Sequence, residues 1–311
     1  LTPGWTGRAV HGIDNGRVLR LNLADAALHD ITPLRVLGDL QELNLRGALA
    51  ADLAPLRGMP LRELNLEKSK AADLAPLAGM PLERLSVAEA PVTDLAPLRG
   101  MPLVSLNCAE TRVRSLAPLR GAPLKWLSCG YLTALDDLSP LRGMPLAELH
   151  CPYTAVADLS PLKGLPLTIL RVDWTRVVDL SPLRGLALTY LVLSGVPATD
   201  LSPLQGLPLR TLGVDFAVAR DCAALRSIET LRTINEYTAA SFWALADEGR
   251  RSAAERLVVQ CRFVTQSSRC QPRTFSVIGS PRWSKSATSA GTQAGFQRAR
   301  VENSASTEVS G

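Results

Sequence analysis

From residue 30 to about 220 the chain repeats one pattern of apolar and polar positions. The string DLAPLRGMPL at 52–61 returns, with small changes, at 73–82, 94–103, 115–124, 137–146, 158–167, 179–188 and 200–209. A weaker first copy begins at Asp30 and a broken last one at Asp221. The copies start 21 or 22 residues apart. A fixed period of this length predicts a solenoid of stacked coils, not the two globular domains that 311 residues would otherwise suggest.

Within each unit the spacing Leu-x-x-Leu-x-(Leu/Val/Cys) recurs, as at Leu61, Leu64 and Leu66 or at Leu167, Leu170 and Val172. Its last two apolar positions alternate with polar ones, which is the period of a strand. Strands that return in this way must lie parallel and be joined by right-handed crossovers. In SPLRG at 139–143, Ser139 can cap, Pro140 suits a first helical position and Gly143 suits a left-handed exit. About one helical turn is therefore predicted on the outer face. Pro145, Pro166 and Pro208 stand just before strands, where no ladder donor is needed. The predicted class is α/β: a solenoid with a parallel sheet on its concave face, short helical turns on its convex face, and a shared leucine core.

These residues resemble the leucine-rich repeat family over about 30–220, in nine units. The unit length and the DLSPL segment are similar to the short-repeat bacterial subclass of internalin-like proteins. The family's usual Asn, three residues after the last strand position, is here Ala48, Ser69, Ala90, Thr111, Thr154, Thr175, Val196 and Ala217. Thr and Ser can bond backbone groups in the turn and Ala and Val cannot, so a partial side-chain ladder is predicted. The resemblance implies a non-catalytic module that binds a protein or peptide. The region through Phe242 and Trp243 is also similar to the ends of repeat proteins from large-genome environmental bacteria, in which such repeats follow a serine/threonine kinase domain. The alternative this implies is the sensor or scaffold arm of a kinase whose catalytic domain lies upstream. The missing initial Met reads as an internal fragment.

The flanks divide the chain further. Residues 1–29 end in Val18–Leu23, a first strand that caps the core. In 221–249 the pattern decays, and Thr238 is expected to cap a helix at 239–248, with Ala239, Phe242 and Ala246 on one face. Such a cap covers a core that the last coil would otherwise expose. Residues 250–311 are Ser-rich and carry ten Lys or Arg against three Glu, a balance of +7. The whole chain is +5, so residues 1–249 hold about −2. The tail reads as disordered. Its bases are dispersed, so the basic pI does not select nucleic acid as a partner. No apolar run reaches the roughly 18 residues of a membrane span, and the start lacks a signal-peptide pattern. A monomer is expected.

No phosphate loop, metalloprotease or hydrolase motif is present, nor the kinase His-Arg-Asp and Asp-Phe-Gly signatures. No cofactor or metal is predicted. Cys108, Cys129 and Cys151 fall at the same inward strand position of three successive units, about 4.8 Å apart if the strands pair. They read as small apolar core side chains. His150 and Cys151 must point to opposite faces and cannot share a metal. Unpaired inward thiols favour a reducing compartment, and so the cytoplasm.

The variable columns carry the candidate site. Counting each strand motif from its first Leu as position 1, positions 3, 5 and 7 face away from the core and position 8 lies at the strand exit. The six aromatic residues of the repeats all fall in these columns and all in the second half: Trp126, Tyr131, Tyr153, Trp174, Tyr190 and Phe216. With His150, Arg171 and Asp173 beside them they are predicted to form one band for a protein or peptide partner. A second reading of the position 8 rings is structural: they lie flat over neighbouring loops in place of the missing Asn ladder. The first half is polar instead, with Glu42, Glu63, Glu67, Glu89 and Glu110.

Overall fold

The computed structural model of the protein describes residues 10–14, 16–215 and 223–247. Phe216, Cys222, Cys261, Cys270 and the tail 250–311 lie outside the described residues. Thirteen described strands form one sheet in chain order. From β2 (Arg17–Asn22) to β12 (Thr233–Ile234) the pairing is parallel. The strands between, β3 (Glu42–Asn44) to β11 (Thr211–Gly213), are three residues each. Leu43, Leu64, Leu85, Leu106, Leu127, Leu149, Leu170, Leu191 and Leu212 stand in register across them, all buried.

The ladder does not stop where the strands do. The N–H at position 6 donates to the position 5 carbonyl of the next coil, as from Leu45 to Asn65 at 2.8 Å. The N–H at position 8 then donates to the next position 7 carbonyl, as from Tyr153 to Asp173 at 2.9 Å and from Trp174 to Ser194 at 2.8 Å. The residue that makes this bond is left-handed. Every position 8 residue from Gly47 to Gly195 has φ between +55° and +73°. Lys68, Glu89, Glu110, Tyr131, Tyr153 and Trp174 therefore hold a conformation that side chains with a Cβ adopt at a cost of roughly 1–2 kcal/mol.

On the return, each coil makes a 3-10 turn of three residues, from Ala54–Leu56 to Ser202–Leu204, with proline second. The expected exit is observed, with Gly143 at φ +73°. The expected cap is not. Ser139 is the first residue of its turn, and its N–H donates to Asp137 Oδ1 at 2.7 Å. Its hydroxyl donates to the other oxygen at 2.9 Å. The Asp two residues ahead is the cap in every coil that has one. Asp52, Asp73 and Asp94 do the same at 2.8 Å where the turn opens with Ala. Carboxylate beats hydroxyl here because an ionised acceptor makes a shorter, stronger bond to N–H.

Cys108, Cys129 and Cys151 are fully buried in the core as free thiols. Burial pushes the Cys108 thiol up to about 12. A thiol hydrogen bond with Cys151, and then burial, pushes Cys129 up as well. Thr111, Thr154 and Thr175 donate their hydroxyls to the carbonyl three residues back, at 2.7–2.9 Å, so the turn ladder is partial as expected.

Both ends close with hairpins. At the start β1 (Val10–Asp14) pairs antiparallel with β2. At the end β12 turns at Asn235 and Glu236, both left-handed, into β13 (Tyr237–Thr238). The buried Asn235 amide accepts from Val214 N–H at 2.9 Å and donates to its carbonyl at 3.0 Å. Helix α1 (Ala239–Asp247) follows, with Thr238 Oγ1 accepting from Ser241 N–H at 3.2 Å and Phe242 buried. Among the described residues no helix is long and apolar enough to cross a membrane.

Two measurements test this account. The Ser160 hydroxyl, and then its N–H, hold Asp158 below its usual range. That contribution is complete above pH 3.8 and is lost as pH falls through the depressed folded value. Asp158→Ala should lower the thermal midpoint by roughly 2–4 °C at pH 7, and this difference should shrink in acid. The core thiols act at the other limb. With Cys108 raised from 9.0 to about 12, the folded state keeps a proton that the unfolded chain loses. Stability should fall as pH rises above 9, and Cys108→Ala should flatten that fall in a denaturant series.

Candidate protein-binding face

Strands β7 (Trp126–Ser128), β8 (Glu148–His150), β9 (Ile169–Arg171) and β10 (Tyr190–Val192) set the register of the open face. One row runs Trp126, Glu148, Ile169, Tyr190, and the next runs Ser128, His150, Arg171, Val192. All eight side chains are half-buried. Trp126 and Tyr190 are three strands apart, roughly 14 Å. The Trp126 indole meets the His150 ring with centroids 6.0 Å apart and planes at 45°. Glu148 Oε2 is 3.8 Å from His150 Nε2, which is buried without a hydrogen-bond partner.

Arg171 and Asp173 act as a unit. The guanidinium Nε and Nη2 donate to the two carboxylate oxygens at 3.3 Å each. Asp173 is 0% exposed, so it orients Arg171 rather than facing a partner. Burial pushes the Asp173 carboxyl up, against the opposing pull of Arg171. The Tyr190 hydroxyl is also pushed up by burial.

The position 8 aromatics form a separate arrangement. Tyr131 and Tyr153 stack with centroids 4.6 Å apart at 11°, and Tyr153 and Trp174 with centroids 5.8 Å apart at 10°. The stack runs along the left-handed column, one ring per coil. It ends on Gly195, where a Cβ would lie 2.6 Å from Trp174 Cδ2. Gly195 N–H then turns to the Asp215 carboxylate at 2.7 Å. The predicted single band is thus two groups: Trp126, His150, Arg171 and Tyr190 on the strands, and Tyr131, Tyr153 and Trp174 stacked at the turn. The rings of the second group lie against one another, one coil to the next.

In the first half the turn columns are ionic. Arg46 donates to Asp25 at 3.4 Å and to Glu67 at 3.3 Å, and Lys68 lies 3.7 Å from Glu67 and 3.3 Å from Glu89. Glu63, 1% exposed, accepts from Arg84 Nε at 2.7 Å. Its other oxygen and Ser86 Oγ are buried without hydrogen-bond partners. Of the acids in this half, Glu63, Glu67 and Glu89 are paired with bases of their own or neighbouring coils. Asn44, Asn65 and Asn107 at position 5 were missed as turn residues. Each accepts the N–H two residues on, at 2.9–3.2 Å. Recurrence of Asn at one position before the exit was the available signal.

No family model and no curated protein matches the chain. Solved structures do. Internalin C2 from Listeria monocytogenes is 26% identical with a TM-score of 0.53, over 58% of this chain and 78% of that one. An internalin, inlF, from the same organism is 23% identical with a TM-score of 0.54, over 70% and 79%. The functional domain of InlJ from Listeria monocytogenes, which includes a cysteine ladder, is 22% identical with a TM-score of 0.50, over 70% and 53%. The fold is a leucine-rich repeat solenoid. Its short repeats are similar to those of the internalins.

The column geometry makes a prediction. Tyr153→Ala loses the stack and keeps the left-handed strain, whereas Tyr153→Gly loses only the stack. Gly should be the more stable variant by about 1 kcal/mol in denaturant unfolding, the reverse of their order in ordinary structure.

Proposed function

We propose that the chain is a non-catalytic module that binds a protein or peptide across β7–β10. The observation that carries this reading is the pairing of half-buried rings, Trp126 and Tyr190, with polar groups already held in place between them. Arg171 is oriented by Asp173, and His150 Nε2 is desolvated without a partner. Aromatic and Arg side chains lose little freedom when a partner covers them, which is why they concentrate affinity. The fold supports the same reading, since internalin-like repeats are binding scaffolds, and a sheet with every coil bonded to the next is rigid before it binds. The turn stack of Tyr131, Tyr153 and Trp174 stiffens the edge of this surface.

Peptides selected from a random displayed library on the wild-type chain should lose about thirtyfold or more in affinity for Trp126→Ala/Tyr190→Ala. The thermal midpoint of the double variant should stay close to wild type. Peptides that bind both forms equally would place recognition elsewhere.

A further inference from the structure

The turn side of the solenoid breaks its own pattern once. The capping Asp of the other coils is Ser at 115, and its Oγ accepts Ala117 N–H at 3.2 Å instead of 2.7–2.8 Å. The residue just before the cap is His29, Ala51, Ala72, Thr93, Asp136, Ala157, Val178 or Thr199 in the other coils, and Arg114 here. This coil therefore loses a negative charge and gains a positive one at adjacent outward positions.

The two changes meet in an open depression of about 530 Å³ between this coil and the one before it. Arg99, Arg112 and Arg114 line it, with Ser115 and Asp94. All three arginines are exposed, and among the described residues none forms an ion pair or a side-chain hydrogen bond. The one carboxylate in the lining, Asp94, is engaged by Ala96 N–H at 2.8 Å. Three guanidiniums around one carboxylate leave the depression at net +2. The Ser115 oxygen is used as an acceptor, so its O–H remains a donor directed by whatever lies in the hollow.

We propose that this depression binds a phosphate dianion, either inorganic phosphate or the phosphomonoester end of a larger molecule. The charge balances, since two negative charges meet a net +2. Guanidinium forks match phosphate oxygens in pairs, where ammonium groups supply only point charges. The site lies away from the strand face and stands independently of the peptide-binding reading.

Calorimetric titration of the full chain at low salt should show inorganic phosphate and phenyl phosphate binding with dissociation constants on the order of millimolar, and phosphate should raise the thermal midpoint. Ser115→Asp restores the residue that neighbouring coils use, so it should fold at least as well. It should weaken both ligands about tenfold or more, because it sets a carboxylate against them. Arg114→Thr, the residue found at 93 and 199, should weaken them similarly and serves as the second variant. Phenyl phosphate binding tighter than phosphate assigns a monoester ligand, and the opposite order assigns free phosphate. No binding to wild type, or equal binding to wild type and both variants, overturns the proposal.

Discussion

One backbone conformation organises the molecule: the left-handed residue at each strand exit. From Asp25 to Trp174 its N–H donates to a carbonyl of the next coil, and the bond carries the ladder past a strand of three residues. A parallel pair that short would be a poor foundation for a core by itself. Extended by the exit bond, each coil offers its neighbour a longer edge and enters the 3-10 turn at a fixed angle. The leucine core follows, because all coils then present positions 1, 4 and 6 at the same height. Proline, the Asp cap and the exit glycine tune the return path, but they act on a loop whose start is already set.

That conformation also decides which side chains become neighbours. Successive exit residues point along the solenoid, so whatever occupies the column meets its own kind one coil away. In the first half Lys68 meets Glu89, with Glu67 and Arg46 beside them. In the second half Tyr131, Tyr153 and Trp174 stack. Exposed ion pairs contribute little each, whereas stacked rings keep apolar area from water and are insensitive to salt. The second half thus has the firmer edge, and it is also the half that carries Trp126 and Tyr190.

The period, the strand positions, the inward leucines and cysteines, and the partial turn ladder were legible because each depends on residue size and polarity at a fixed interval. The split of the aromatic band was not. Nothing about Tyr, Trp, Lys or Glu announces a positive φ, and only Gly47 and Gly195 in the same column hinted at one. The cap was misassigned for a related reason. Ser139 and Asp137 both suit a helix start, but the coils with Ala in place of Ser retain the Asp, and that comparison separates them. On the strand face, the sequence places Arg171 and Asp173 side by side in alternation. Only the depth of Asp173 makes it a support for its neighbour and not a second contact.

Asn235 matters beyond the two bonds it makes. A stack of identical coils has no intrinsic length, and its final edge would accept another chain's first coil as readily as one of its own. By turning the chain back on itself and occupying the N–H and C=O of Val214, Asn235 makes the last coil a poor template. The opening hairpin leaves the other edge antiparallel and so mismatched to a parallel newcomer. Between these two ends, a unit of 21 residues could be gained or lost without altering either. The closures therefore set the length of the array, because no coil between them carries any mark of its place in the count.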